Sequence, residues 1–246
     1  MKRTLILGAL AATTFAAGCM QPAIEGSGNV VTEARDVSGF NAVAIGGAGV
    51  LTITVGSEEA LTVTADDNLL EHIETKVEEG RLTIGRTREA WRLDLRPSAP
   101  IRYDLTVVEL EAIAVSGAGS VVADSLSAET FSVALSGAAD LEIGRLEAQT
   151  FSVAISGAGD VTVAGRVGVQ SIAVSGAGEY HGDALWSERA ECSVSGSGDV
   201  TVWAESEVTA GVSGSGTVSY YGEPRVEKDV SGSGSVRSLG PRTLVL

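Results

Sequence analysis

FSVALSGAADLEI, from Phe131 to Ile143, and FSVAISGAGDVTV, from Phe151 to Val163, are one pattern written twenty residues apart. In each, Phe, Val and Leu or Ile alternate with Ser, Ala and Ser, the two-residue period of a half-buried strand. A glycine turn follows, then a second alternating run. Outward from this pair, the signature Ser-Gly-[Ala/Ser]-[Gly/Ala] begins at Ser116, Ser136, Ser156, Ser175, Ser195, Ser213 and Ser231. The spacings are 20, 20, 19, 20, 18 and 18 residues. A period near twenty with no helical patterning predicts an all-β fold, a solenoid of stacked coils.

Aligning the seven units gives columns. One residue before each Ser stand Val115, Leu135, Ile155, Val174, Val194, Val212 and Val230. Five residues after stand Val121, Leu141, Val161, Tyr180, Val200, Val218 and Val236. Both columns are wholly apolar and predict the core. A twenty-residue coil cannot bury its own inner face, so the coils above and below must do it. At ~4.8 Å per rung the seven units make a rod of about 34 Å. The residues between point outward: Ala114, Ala134, Ala154 and Ala173 two before the Ser, and Ala112, Ser132, Ser152 and Ser171 four before. A solvated sheet face ordinarily carries charge. This flat face of small side chains is a candidate contact surface, to be covered by the 24–109 segment, by a second copy or by a partner. The competing reading is an inert face kept small for stacking.

Residues 27–109 follow the scheme less regularly, and 110–238 form the regular solenoid, with 239–246 as a tail or cap. AVAIGGAGVLTITVG, from Ala42, matches SVAISGAGDVTVAG, from Ser152, with Gly46 in place of the Ser. HIETKVEEGRLTIGR, from His72, predicts two strands around a Glu79-Gly80 turn. Asp66 to Leu70 is read as a helical turn. Arg86 to Pro100 is read as a long polar loop carrying Trp91, which either meets a ligand or covers an open end of the core.

The chain carries 17 Lys+Arg against 32 Asp+Glu, a net charge of −15, which argues against a nucleic-acid partner and a polybasic membrane surface. Two Cys and two His exclude a disulfide scaffold and a multi-histidine metal centre. No metal and no cofactor are expected. At the N-terminus Lys2 and Arg3 precede an apolar run from Leu5 to Ala17, and Ala16-Ala17-Gly18 stand before Cys19. A basic start, a short apolar run and small residues read as an export signal over residues 1–18. The small residues before Cys19 resemble the bacterial lipobox, which implies lipidation of Cys19 followed by a tether to residue 26. Ala16 stands where Leu is usual, and plain secretion is the alternative. The expected location is the bacterial cell envelope, with the membrane held through the lipid.

DVSGFNAVAIGGAGVLTITVG from Asp36, then TADDNLLEHIETKVEEGRLTIG, then the SGAGD units, resemble in their order the auto-transporter adhesin head GIN domain family. The resemblance spans about residues 27–236 and implies an exported, often lipid-anchored protein built as a right-handed parallel β-helix. It brings no functional residues with it.

Catalytic chemistry finds little support. Ser recurs in every unit without a repeated His or Lys partner, whereas a catalytic Ser is normally unique. Four residues after the Ser, four successive units carry Asp140, Asp160, Glu179 and Asp199. These carboxylates either accept N–H bonds at their own turns or form a cation ladder suited to Ca²⁺. Cys192 shares a column with Ile113, Val133, Val153, Ile172, Ala210 and Lys228, which predicts a buried thiol and a polar end at Lys228. The leading functional expectation is a non-enzymatic, adhesin-like envelope lipoprotein. A self-assembling structural protein is the alternative, and a β-helix polysaccharide enzyme a remote one.

Overall fold

A computed structural model describes residues 23–242; the expectations for the leader, Cys19 and the last four residues lie outside them. The irregular part contains β1 (Ala23–Glu25), β2 (Val30–Arg35), β3 (Ala42–Gly47), β4 (Val50–Val55), β5 (Ala60–Asp66), β6 (Ile73–Glu78), β7 (Arg81–Arg86), β8 (Asp94–Arg96) and β9 (Arg102–Val107). The repeats form β10 (Ala112–Gly117), β11 (Ser120–Gly137), β12 (Asp140–Gly157), β13 (Asp160–Gly176), β14 (Glu179–Gly196), β15 (Asp199–Gly214), β16 (Thr217–Tyr221), β17 (Arg225–Gly232) and β18 (Ser235–Ser238).

From β10 onward each strand pairs in parallel with its counterpart one repeat later. Ser116, Ser136, Ser156, Ser175, Ser195, Ser213 and Ser231 are successive register partners in one column. The fold is a parallel β-helix. One coil holds three paired segments, seen in β11 as 120–123, 125–128 and 130–137, with corners between them. The segment ending in the Ser column forms the serine face. Inside, Val115, Leu135, Ile155, Val174, Val194 and Val212 are buried, as are Val121, Leu141, Val161, Tyr180, Val200 and Val218.

The glycine after each Ser is dictated by stacking. At Gly157 φ is 146°, and a Cβ would lie 2.2 Å from the Gly137 carbonyl oxygen of the coil below. Where the repeat shortens to 19 residues, the register shifts between Ile143 and Leu146, and Gly165 (φ 128°) takes up the slack against the Leu146 carbonyl.

Core volume is balanced between columns. Phe131 and Phe151 stack with ring centroids 6.1 Å apart. Their column continues with Gln170 and Ala190, which leave space. Tyr180, fully buried among valines and leucines, fills it, and Gly182 makes room because a Cβ there would lie 2.5 Å from the Tyr180 ring. The Tyr180 hydroxyl donates to Gln170 Oε1 at 3.0 Å. Gln170 Nε2 donates to Ser187 Oγ at 2.8 Å, and Ser187 Oγ donates to the Trp203 carbonyl at 2.8 Å. This buried polar chain is absent from the sequence expectations.

The irregular part splits in two. β3 and β7 extend the serine face, and β4 and β9 extend the second face, all in parallel. Gly46 stands beside Ser116, as the match of the two segments predicts. Beyond them β6, β5 and β2 pair antiparallel and close the N-terminal end, where an open parallel edge would template further strands. Glu79 (φ 50°) and Gly80 (φ 74°) make the tight turn between β6 and β7.

Two local expectations change. The short helical turn lies at Leu70–His72, while Asp66 ends β5. Asp66 is held there because its buried carboxylate accepts Gly28 N at 2.8 Å, Ser98 N at 2.9 Å and Ser98 Oγ at 2.6 Å. The Ser98 hydroxyl, then the backbone donors, hold this carboxyl below its ordinary range against the effect of burial. The polar stretch from Arg86 is also more than a loop. It carries a 3-10 turn at Ala90–Arg92 and then β8, which pairs in parallel with β1. Its partner comes from some seventy residues earlier, beyond the reach of local patterning.

At the other end the core thins out. Lys228 enters the inward column and is exposed, and Val230 is 39% exposed. Arg242 latches the last described residues, donating to Asp183 Oδ2 at 2.9 Å and lying over the Tyr221 ring at 4.9 Å.

Candidate contact surface

Alternation along β10 to β13 turns the small side chains outward, and parallel register lines them up. Ala114, Ala134, Ala154 and Ala173 are successive partners, as are Ala112, Ser132, Ser152 and Ser171. Ala134, Ala154 and Ala173 are exposed; Ala112, Ala114, Ser132, Ser152 and Ser171 are half-buried. Ala42 and Ala44 of β3 extend the row by one strand. The 24–109 segment stacks on the end of the solenoid and leaves most of this face open.

The face forms a shallow trough. One hollow, of about 420 Å³, runs over Ala114, Ala134, Ala154 and Ala173, with Arg81 at its rim. A second, of about 750 Å³, lies at the N-terminal end between Ala44, Ala114 and Ala134 on one side and Arg86, Arg88 and Trp91 on the other. Toward the C-terminus the same outward positions become Glu191, Thr209, Glu227 and Asp229. Small side chains let a second surface approach closely and have little rotamer entropy to lose on contact.

Trp91 is 71% exposed and does not cover the core end. The 3-10 turn decides this by burying Ala90, with Leu95 just beyond, and by turning Trp91 outward. Arg86 braces the turn by donating to the Leu93 carbonyl at 3.2 Å.

The carboxylate column lies along the second face. Glu179 is the register partner of both Asp160 and Asp199, and Asp140 pairs with Ser120. Asp160 accepts the Glu179 N–H at 3.2 Å, and Asp199 accepts the Thr217 N–H at 2.9 Å. Each therefore ties its coil to the next. No group of three or more His, Cys, Asp or Glu among the described residues is placed to hold a metal ion. Cys192 is buried, and burial pushes its thiol up to about 12. Sequence reasoning missed the Asp66 clasp and the Gln170 chain. The adjacent Asp66-Asp67-Asn68 run, with three short polar side chains at a strand end, was the available signal for the first.

A family model described as "Putative auto-transporter adhesin, head GIN domain" matches residues 39–224. The chain belongs to this family. The match takes in β5 and β6 of the antiparallel closure, but not β2, and most of the repeats, so the trough is part of the head GIN domain. Two solved structures share the fold. One is a "putative adhesin" from Bacteroides fragilis NCTC 9343, 24% identical, with a TM-score of 0.82 over 88% of this chain and 100% of that one. The other is a "putative lipid binding protein" from Parabacteroides distasonis ATCC 8503, 25% identical, with a TM-score of 0.74 over 88% of this chain and 99% of that one. No curated relative matches the chain. Among the described residues no helix is long and apolar enough to cross a membrane.

Proposed function

We propose that this head GIN protein is a non-enzymatic lipoprotein of the cell envelope that works as an adhesin-like head, making contact along the serine face. The observation that carries the reading is the trough of exposed Ala134, Ala154 and Ala173 in register. The family's description and the name of the Bacteroides fragilis structure support adhesion, and the apolar run before Cys19 supports export and lipid attachment. A structural, self-associating role is the second reading. It draws on the C-terminal end, where Val230 and Leu239 are exposed beside the last strands.

Beads coated with the protein test both. They are presented to mucin-coated glass, to purified peptidoglycan and to beads bearing the same protein. The wild type is expected to attach to mucin or peptidoglycan, and Ala134→Glu/Ala154→Glu/Ala173→Glu to lose attachment while keeping a cooperative melt and the wild-type circular dichroism, with the melting temperature lowered only by the repulsion of glutamates stacked ~4.8 Å apart. Bead-to-bead clumping alone favours self-association. Attachment that survives the three glutamates, with the fold intact, removes the serine face from the account.

A further inference from the structure

We propose that the Trp91 turn docks the N-terminal end of the solenoid onto an anionic lipid bilayer, so that the protein is oriented on its membrane as well as tethered to it. The proposal rests on the reading of Cys19 as the lipid-anchored residue. Three observations carry it. First, β1 and β8 are parallel, with Ala23 beside Asp94 and Glu25 beside Arg96. Followed backward from Ala23, the chain therefore leaves on the side where Trp91 and Arg92 enter β8. Cys19 lies four residues before Ala23, a reach of at most about 14 Å even fully extended. A lipid on Cys19 brings this turn to the bilayer surface.

Second, Trp91 is the most exposed large hydrophobic side chain among the described residues, and it sits on a braced turn. Tryptophan is the side chain that settles best at the headgroup level, with its ring in the interface. Third, the charge matches. Residues 86–92 put Arg86, Arg88 and Arg92 against Glu89, a +2 at the turn itself in a chain of −15, while Glu25 of β1 and Glu74 and Glu78 of β6 lie on the neighbouring strands. Arg88 and Arg92 flank the tryptophan and are exposed. Neither makes an ion pair among the described residues, whereas Arg96 is taken up by Asp94 and Glu25. The molecule's overall negative charge opposes an anionic surface only where it comes near. At physiological salt the screening length is about 8 Å, so the acids of the distal coils do not reach the bilayer. Docking at this end leaves the C-terminal coils farthest from the membrane.

The test uses the chain from Cys19 onward, which keeps every described element. It is coupled through Cys19 to a maleimide phospholipid in vesicles of phosphatidylcholine, with or without phosphatidylglycerol. Cys192 does not compete, being buried with its thiol pushed up to about 12. Trp91 emission is taken as the difference between wild type and Trp91→Phe, and brominated acyl chains serve as quencher. Docking predicts that bromolipid quenches this emission, more strongly with phosphatidylglycerol and less at high salt. Arg88→Gln and Arg92→Gln should each lower the docked-to-undocked ratio roughly fivefold. Trp91 emission indifferent to bromolipid, or quenching unchanged in Arg88→Gln/Arg92→Gln, overturns the proposal. Chemical coupling makes the result independent of cellular acylation. The mass of the Cys19 peptide from native membranes decides the anchor separately.

Discussion

Gly157 has one backbone conformation open to it and no space for a side chain: φ is 146°, and the Gly137 carbonyl lies where a Cβ would go. Gly157→Ala combines a left-handed strain with a steric overlap against backbone that cannot yield. It should destabilise the protein by about 2 kcal/mol or more in urea unfolding, while Ala158→Ser, one residue on and exposed, should be neutral within about 0.5 kcal/mol. Equal stabilities would mean that the coils are not stacked this closely. This much was legible in the sequence, because a glycine recurring at a fixed offset from the Ser needs a recurring backbone reason. Trp91 was not. Whether it covers the core or faces solvent depends on the 3-10 turn that buries Ala90 and on β1 pairing with β8, and no local pattern marks either.

Elements repeat this division. The strands of the regular part, their parallel pairing and the two apolar columns all follow from period and alternation. Strand direction in the irregular part follows only for β6, which the two-residue Glu79-Gly80 turn makes antiparallel to β7; alternation reads the same in both senses, and β2 and β5 run antiparallel to their partners with no local mark of it. The Phe131–Phe151 column was legible up to Gln170. There the column breaks, and the repair comes from Tyr180 in another column, so that no single column shows the balance. Gln170→Leu strands the Tyr180 hydroxyl in the core and removes a donor to Ser187. A loss of about 1–3 kcal/mol is expected. Tyr180→Phe on top of it should recover part of that loss, because the orphaned hydroxyl goes too. If the two substitutions add without coupling in a double-mutant cycle, the buried chain is not a unit.

At the scale of the whole molecule, stacking turns a repeated dipeptide pattern into a surface. One Ala two residues before a Ser is unremarkable in a strand; four of them in register, with a fifth rung from β3, make an uncharged trough floor on a protein of net charge −15. The sequence announced the small side chains and their common face. It did not announce the wall at the head of the trough, because Arg86, Arg88 and Trp91 reach it from outside the repeat. Attachment through the trough requires that the coils stay in step along the serine face, from β11 to β17. Spin labels at Ser136→Cys and Ser231→Cys, in a Cys19→Ser background, measure that directly. Both sites are exposed, and five register steps separate them. Pulsed electron resonance should give one narrow distance near 24 Å, five rungs of ~4.8 Å, broadened only by the label arms. A broad distribution, or a distance beyond about 35 Å, would contradict the stacked register on which the contact surface depends.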